Sequence, residues 1–316
     1  MAFDTADRPL LELLAALKRD GYDFVTPTPV SHARVVGRSD RRRARSLRDI
    51  LGWSLPFDRA LPDPAILAAL EVADMIEPVG DALRSRVRVS SLHGDLFLHS
   101  AFPTTAPDAV FFGPDSYRFA SLIRDEFLRD QPGPGAHIVD LGTGTGVGAI
   151  VADRAMRDAR LTMTDINSQA LRFARINIAA AGLSANLHLG TGLSMIADPV
   201  DVVLANPPYI VDAEGRDYRD GGAMHGGAVA LDMARLAVER LSVGGRLILY
   251  TGSAIIDGAD PLRDEFATVA KDGGCTMRYR EIDPDVFGEE LAGAAYADVE
   301  RIAAVAAIFE RTAVES

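Results

Sequence analysis

From about residue 106 onward, short apolar runs alternate with amphipathic stretches, and this alternation limits the fold more than any other feature. "HIVDLG", "RLTMTD", "NLHLG", "DVVLA" and "GRLILYTG" read as strands. Helical patterns over Ser116–Arg129, Val147–Arg157, "SQALRFARINIAAAG" and "AVALDMARLAVERL" precede or separate them. Strands separated by helices of about 10–15 residues build βαβ units and a parallel sheet. After "DPLRDEFATVAKDGG" the order changes. "CTMRYREI" and "ERIAAVAAIFER" follow with no full helix between them, so they pair antiparallel at the end of the sheet. The expected fold is α/β, doubly wound, with seven mostly parallel strands and an antiparallel terminal strand.

The first hundred residues form a different block. Leu10, Leu13, Leu14 and Leu17 share one helical face, with Asp7 as N-cap, Pro9 just inside and Gly21 as the stop. "SLRDILGWS" and "DPAILAALEVADMIE" read as two more helices. "VRVSSLHGDLFLHS" reads as a hairpin turning at His93-Gly94-Asp95. Three helices and a hairpin suggest a winged-helix-like module; a small helical cap without a nucleic-acid role is the alternative. With 316 residues, two domains are expected. Residues 1–105 form an N-terminal domain for substrate recognition or dimerisation, and residues 106–316 form the catalytic domain.

A single cysteine, Cys275, excludes an intrachain disulfide and makes a cysteine-based metal site unexpected. With no basic-then-apolar leader and no run long enough to span a bilayer, the expectation is a cytoplasmic protein with no membrane role. The net charge of −12 argues against general nucleic-acid binding. Against that, six arginines crowd between Arg38 and Arg48. They read as a solvated face or as a docking patch for an acidic or phosphate-bearing partner.

"VDLGTGTGVGAI" places Gly142, Gly144, Gly146 and Gly148 between a strand and a helix. Glycines there allow a tight turn and close approach to a ligand. Asp165, 23 residues after Gly142, ends the next strand, where a carboxylate can accept both ribose hydroxyls. This reads as a nucleoside site rather than a structural turn. A dinucleotide and S-adenosylmethionine both fit.

"VVLANPPYI", Val202 to Ile210, is an apolar strand stopped by two prolines, which cannot donate to a ladder. Taken together, "DLGTGTG", "DIN", "LANPPYI" and the terminal strand pair resemble the class I S-adenosylmethionine-dependent methyltransferases. Within them the chain is similar to the "methyltransferase small" group with its Asn-Pro-Pro-Tyr motif, over about Ala109 to Arg311. That group includes release-factor glutamine methyltransferases and enzymes acting on exocyclic amines of RNA or DNA bases.

The resemblance implies a Rossmann-like fold, S-adenosylmethionine as cofactor, no metal, and methylation of a planar NH2 group. It implies that the Asn206 oxygen and the Pro207 carbonyl accept the two N–H bonds, with Pro208 fixing the backbone and Tyr209 packing on the substrate plane. For the cofactor it implies Asp140, Gly142, Thr143, Gly144 and Gly146 at the methionine end. Asp165 holds the ribose, Ile166 and Asn167 flank the adenine, Thr191 or a backbone group meets the adenine amine, and Asn206 borders the methyl. Phe112 and Tyr117 are candidates for a lid, with plain packing as the alternative.

Departures from the group sit after the motif. "GGAMHGG" replaces the usual Gly-Gly-x-Asp-Gly-Leu, and His225 there is a pH-sensitive contact or a surface histidine. "DPDVFGEELAGAAYADVE" is an acidic border to the substrate entrance, easier to reconcile with a protein or a small cationic molecule than with a phosphate backbone. Protein, nucleic-acid and small-molecule acceptors stay open, as does a homodimer through the first block. A nicotinamide oxidoreductase would leave Asn206–Tyr209 without a purpose, and a catalytically silent relative would not need them intact.

Overall fold

The computed structural model describes residues 7–156, 158–193, 196, 198–212 and 218–313. The first helix, α1 (Arg8–Arg19), buries Leu10, Leu13, Leu14 and Leu17, as their spacing predicts. Asp7 stands at its N-cap position but makes no capping bond. Its carboxylate instead accepts from Arg172 Nε at 2.6 Å. Helices α2 (Pro29–Val36), α3 (Leu47–Leu51) and α4 (Pro64–Val72) follow. A small hairpin, β1 (Ile76–Val79) with β2 (Ala82–Ser85), precedes the ribbon β3 (Val87–Leu92) and β4 (Asp95–Ser100). The ribbon turns at His93-Gly94, both at positive φ.

The second part runs α5 (Pro114–Arg129), β5 (His137–Leu141), α6 (Val147–Met156), β6 (Arg160–Asp165), α7 (Ser168–Ala180), β7 (Asn186–Leu189) and β8 (Val200–Ala205). Then come α8 (Ala228–Val238), β9 (Leu241–Ile255), α9 (Pro261–Asp272), β10 (Cys275–Asp283) and β11 (Arg301–Arg311). The seven-stranded sheet has the order β10-β11-β9-β8-β5-β6-β7. Strand β11 is antiparallel to both β9 and β10, so the reversed strand lies one place in from the edge. The chain winds from β5 to β6 and β7 on one side, then returns to β8 and β9 on the other. The switch point therefore falls between β5 and β8, where open α/β sheets hold ligands.

Alternation along the strands divides the core. Ile138, Val202, Leu204 and Ile248 pack with Phe119, Ile150 and Ala174 of α5, α6 and α7. Val139, Leu141, Val203, Ala205 and Leu247 pack with Leu231, Ala234 and Phe266 of α8 and α9. The N-terminal block joins through α7, whose Ala170, Phe173 and Ile176 share a cluster with the leucines of α1. The β3–β4 ribbon is buried along most of its length and does not project as a wing.

Of the arginines from Arg38 to Arg48, Arg41 pairs with Asp49 at 2.9 Å and Arg43 with Asp81 at 2.5 Å. Arg48 lies over the Phe24 ring at 5.7 Å. The side chains of Arg38, Arg42 and Arg45 have no partner among the described residues. No helix among the described residues is long and apolar enough to cross a membrane.

One buried amide ties the ribbon to α7 and the glycine loop. Asn177 is fully buried, accepts from Leu98 N at 2.8 Å and donates to Leu98 O at 3.0 Å and Thr145 O at 2.9 Å. Replacing it by Leu removes all three bonds and strands buried backbone groups. Asn177→Leu should lose about 2–4 kcal/mol of unfolding free energy in urea titration; a change under about 0.5 kcal/mol would show that the amide does not tie the ribbon.

Candidate functional site

The glycine loop leaves β5 with Gly142, Gly144 and Gly146 at φ 67°, 54° and 81°, where a side chain would be strained. Two carboxylates hold it. Asp140 is buried, and its Oδ2 accepts from Thr143 Oγ1 at 2.6 Å and Ala149 N at 3.0 Å. A Cβ on Gly148 would come within 2.5 Å of Asp140 Oδ1, so that glycine serves packing. Burial pushes the Asp140 carboxyl up to about 7, against its two hydrogen bonds. The sequence places Asp140 against the cofactor; the structure turns it, and the Thr143 hydroxyl with it, into the loop's interior.

Asp165 ends β6 half-buried. Its Oδ2 accepts from Gly144 N at 2.9 Å and its Oδ1 from Asn167 N at 2.9 Å. Asn167 is committed elsewhere than an adenine. Its oxygen caps α7 through Gln169 N at 2.9 Å, and its amide donates to Asp108 O at 2.9 Å. Ile166 next to it is 54% exposed, and Leu189, paired with Asp165 at the end of β7, is 62% exposed. These two apolar side chains stand next to Asp165, one along the chain and one across the strand pair. Leu189 belongs to no motif, and its one signal in the sequence is an apolar residue at the end of a strand. Thr191 is exposed on the following loop, between Gly190 and Gly192, both at positive φ.

Asn206 follows Ala205, the residue of β8 that pairs with Leu141 of β5 and Leu249 of β9. It therefore stands beside Gly142 at the switch point. Its side chain is half-buried and has no hydrogen-bond partner among the described residues. Pro207 is buried and Pro208 half-buried. Tyr209 differs from its expected place on a substrate plane. It is 7% exposed, its ring lies against Gly252 where a Cβ would overlap it, and Tyr250 and Phe287 pack on it at 6.4 and 5.7 Å.

Beyond the motif, Ile210 N donates to Arg219 O at 3.2 Å, and Gly221 N donates to Ile210 O at 2.8 Å. A Cβ on Gly221 or Gly226 would run into the other's backbone or that of Tyr209. The "GGAMHGG" departure is thus a packing requirement at both ends. His225 contacts Asp298 at 3.1 Å, and Arg219 pairs with Glu290. Tyr296 Oη accepts from Val211 N at 2.8 Å. The acidic segment between β10 and β11 therefore does border this loop. Residues 213–217 of the loop lie outside the described residues.

Phe112 and Tyr117 are not a lid in this structure. Phe112 is buried and stacks on Phe97 at 5.1 Å, and Tyr117 Oη accepts from Thr26 N at 3.0 Å. Phe111 instead stacks on Tyr218 at 6.0 Å, and the Tyr218 hydroxyl donates to Thr104 O at 2.8 Å. That pair joins the segment before α5 to the loop after Tyr209. Among the described residues no three His, Cys, Asp or Glu side chains converge as a metal would require.

Residues 120–271 match the family model of the methyltransferase small domain. The chain is 32% identical over 263 residues to a release factor glutamine methyltransferase of Rhodospirillum rubrum, covering 79% of this chain and 77% of that one. It is 28% identical to a ribosomal RNA small subunit methyltransferase C of Pseudomonas fluorescens, over 38% of this chain and 33% of that one. The solved structure of Trm5b from Pyrococcus abyssi superposes with a TM-score of 0.50 at 15% identity, over 79% of this chain and 68% of that one, a likeness of fold.

The raised Asp140 carboxyl has a pH signature. The folded state holds this proton more tightly than the unfolded chain does. Its contribution to stability is therefore complete below about pH 4 and is lost as pH rises to about 7. Asp140→Asn keeps an acceptor for Thr143 and Ala149 and removes the titration. From pH 4 to pH 8 the wild type should lose on the order of 2–4 kcal/mol relative to the variant. Denaturant titrations at several pH values read this directly, and parallel stability–pH curves would contradict it.

Proposed function

The chain belongs to the methyltransferase small family and is an S-adenosylmethionine-dependent methyltransferase; on that premise we propose that it methylates a planar NH2 nitrogen, foremost the side-chain amide of a protein glutamine, at Asn206–Tyr209. The observation that carries this is Asn206 itself: a half-buried amide at the switch point, beside the glycine loop, with no partner among the described residues. Its oxygen and the Pro207 carbonyl accept the two N–H bonds of the acceptor. That orients the nitrogen and favours the geometry in which its delocalised lone pair becomes available. Pro207 and Pro208 fix the backbone beforehand, so little reorganisation is left for the reaction. Tyr209 supports this edge from behind.

The residues fit the cofactor. A Cβ on Gly144 would meet nothing within 4 Å, so the loop leaves open space there. Asp165 stands at the strand end beside the loop, and a carboxylate oxygen can accept more than one bond, which suits ribose hydroxyls. Ile166 and Leu189 offer apolar contact to an adenine ring, and Thr191 or a neighbouring backbone group meets its amine. The cofactor brings a methyl group already activated on a sulfonium; the protein's own task is to place the acceptor and exclude water.

A protein acceptor suits the acidic segment beside the loop, with Glu290, Asp298 and Glu300. The name of the Rhodospirillum rubrum relative agrees with that choice. The second reading, an exocyclic amine of an RNA base, is favoured by Arg38, Arg42 and Arg45, whose side chains lack partners among the described residues. Salt separates the two. Methylation of a purified release factor should change less than about threefold between 50 and 200 mM salt, whereas an RNA held by several phosphate contacts loses orders of magnitude.

Asn206→Ala should keep its dissociation constant for S-adenosylmethionine within about threefold while turnover falls about 100-fold or more. Calorimetric titration and initial rates give both numbers. Loss of cofactor affinity with the fold intact would move Asn206 out of the acceptor site.

A further inference from the structure

One buried carboxylate lies outside the residues assigned above to the cofactor and the acceptor. Asp115 stands in the first turn of α5 and is 5% exposed. Its Oδ1 accepts from the Tyr250 hydroxyl at 2.7 Å and from Arg118 Nη1 at 3.3 Å. Arg118 reaches on through Nη2 to Asp283 at 2.8 Å, at the end of β10. The Tyr209 hydroxyl is buried with no hydrogen-bond partner among the described residues, its ring packs on that of Tyr250 at 6.4 Å, and the Asp115 carboxylate and the Tyr250 phenol both act on it electrostatically. Helix α5, strand β9, the end of β10 and the Asn-Pro-Pro-Tyr edge thus meet at one side chain.

Capping α5 does not explain Asp115. That helix starts from Gly113, whose N–H donates to Ser116 Oγ at 3.3 Å while Ser116 N donates back to Gly113 O at 2.9 Å. A buried carboxylate is costly unless its bonds repay the loss of water, and here its donors come from the elements that flank Tyr209. On the ring's other side Gly252 leaves no room for a Cβ, and Gly221 and Gly226 crowd the Tyr209 backbone. Tyr209 is thereby enclosed at its ring by Gly252, Tyr250 and Phe287 and at its backbone by Gly221 and Gly226, and Asp115 is bonded to the Tyr250 that packs on it.

We infer that Asp115 is a positioning residue for methyl transfer: through Tyr209 it sets the register of the Asn206 oxygen and the Pro207 carbonyl against the acceptor nitrogen. The inference rests on the assignment of Asn206–Tyr209 to the acceptor. Arg118 and Tyr250 orient the carboxylate, and Tyr209 transmits its position. A misplacement of the order of an ångström at such an edge lowers turnover by about 10- to 100-fold without touching cofactor affinity.

A double-mutant cycle tests this on the full-length enzyme, with labelled S-adenosylmethionine and purified release factor as acceptor. Asp115→Asn and Tyr209→Phe should each lower kcat about tenfold or more. The dissociation constant for S-adenosylmethionine should stay within about twofold, and the KM for the release factor should change little. The double variant should be no slower than the slower single one, because both changes act on the one place where the Tyr209 hydroxyl, Tyr250 and Asp115 come together. Losses that multiply, or an Asp115→Asn enzyme with normal kcat per folded molecule, overturn the inference.

Hydrogen exchange supplies a readout independent of the acceptor. The Ile210 and Val211 amides, bonded to Arg219 O and Tyr296 Oη, should exchange about tenfold faster in Asp115→Asn and in Tyr209→Phe. Unchanged exchange in both variants overturns the positioning role. Should Asp115→Asn not fold, Tyr250→Phe removes the phenol's hydrogen bond to the carboxylate and leaves the carboxylate in place, with the same expectations. Asn206→Ala keeps the two ideas apart: full turnover in that variant defeats the acceptor assignment, while the exchange result bears on Asp115 alone.

Discussion

Strand β8 has to stop at Pro207, because neither it nor Pro208 carries an N–H to pair with β5 or β9. The chain that leaves the sheet there passes Gly221 and Gly226 so closely that neither tolerates a Cβ, while the Tyr209 ring fills the space a Cβ on Gly252 would need. A rigid strand end thus becomes a rigid edge. Asn206 is left there with a side chain uncommitted among the described residues, half-buried and beside the first glycine of the loop from β5. The acceptor chemistry proposed for the protein needs such a group: polar, preorganised, and not already bonded to its neighbours.

The glycine loop follows the same economy. Its positive-φ glycines make the turn, and two carboxylates keep it from collapsing. Asp140 works from inside, through Thr143 and Ala149, and Asp165 from the next strand, through the N–H of Gly144. Asp165 can serve the loop and a ribose together because each carboxylate oxygen accepts more than one bond. Asp140 is enclosed and bonded within the loop, to Thr143 and Ala149, with its carboxyl pushed up toward neutral pH by burial. The distinction between them is one of exposure, which residue type and spacing do not carry.

The sheet was legible because its strands are apolar runs between turn signals, and because α6, α7 and α8 carry clear periodicity. The order of β10 and β11 was half legible. Their antiparallel pairing follows from the missing helix, but the insertion of β11 next to β9 is a tertiary choice. Helix α2 escaped notice because Pro29 and Thr28 look like loop residues until they are seen as first turn and cap. The β1–β2 hairpin was hidden by Pro78 within its first strand. At the site, Asn206, Gly142 and Asp165 could be read from motif and place. The capping role of Asn167, the enclosure of Tyr209, and the exchange of Phe112 for Phe111 beside Tyr218 could not. Each depends on a neighbour distant in sequence: Asp108 for Asn167, Gly252 for Tyr209, and Phe97 for Phe112.

The central claim is that the edge built by Asn206 and Pro207 presents acceptors to a planar NH2 group. It is tested most directly by locating the transferred methyl. The purified enzyme is incubated with isotopically labelled S-adenosylmethionine and a fractionated lysate, and the labelled product is identified by mass spectrometry and hydrolysis. Label on the side-chain nitrogen of a protein glutamine is the predicted result. Label on oxygen, sulfur or carbon would contradict it.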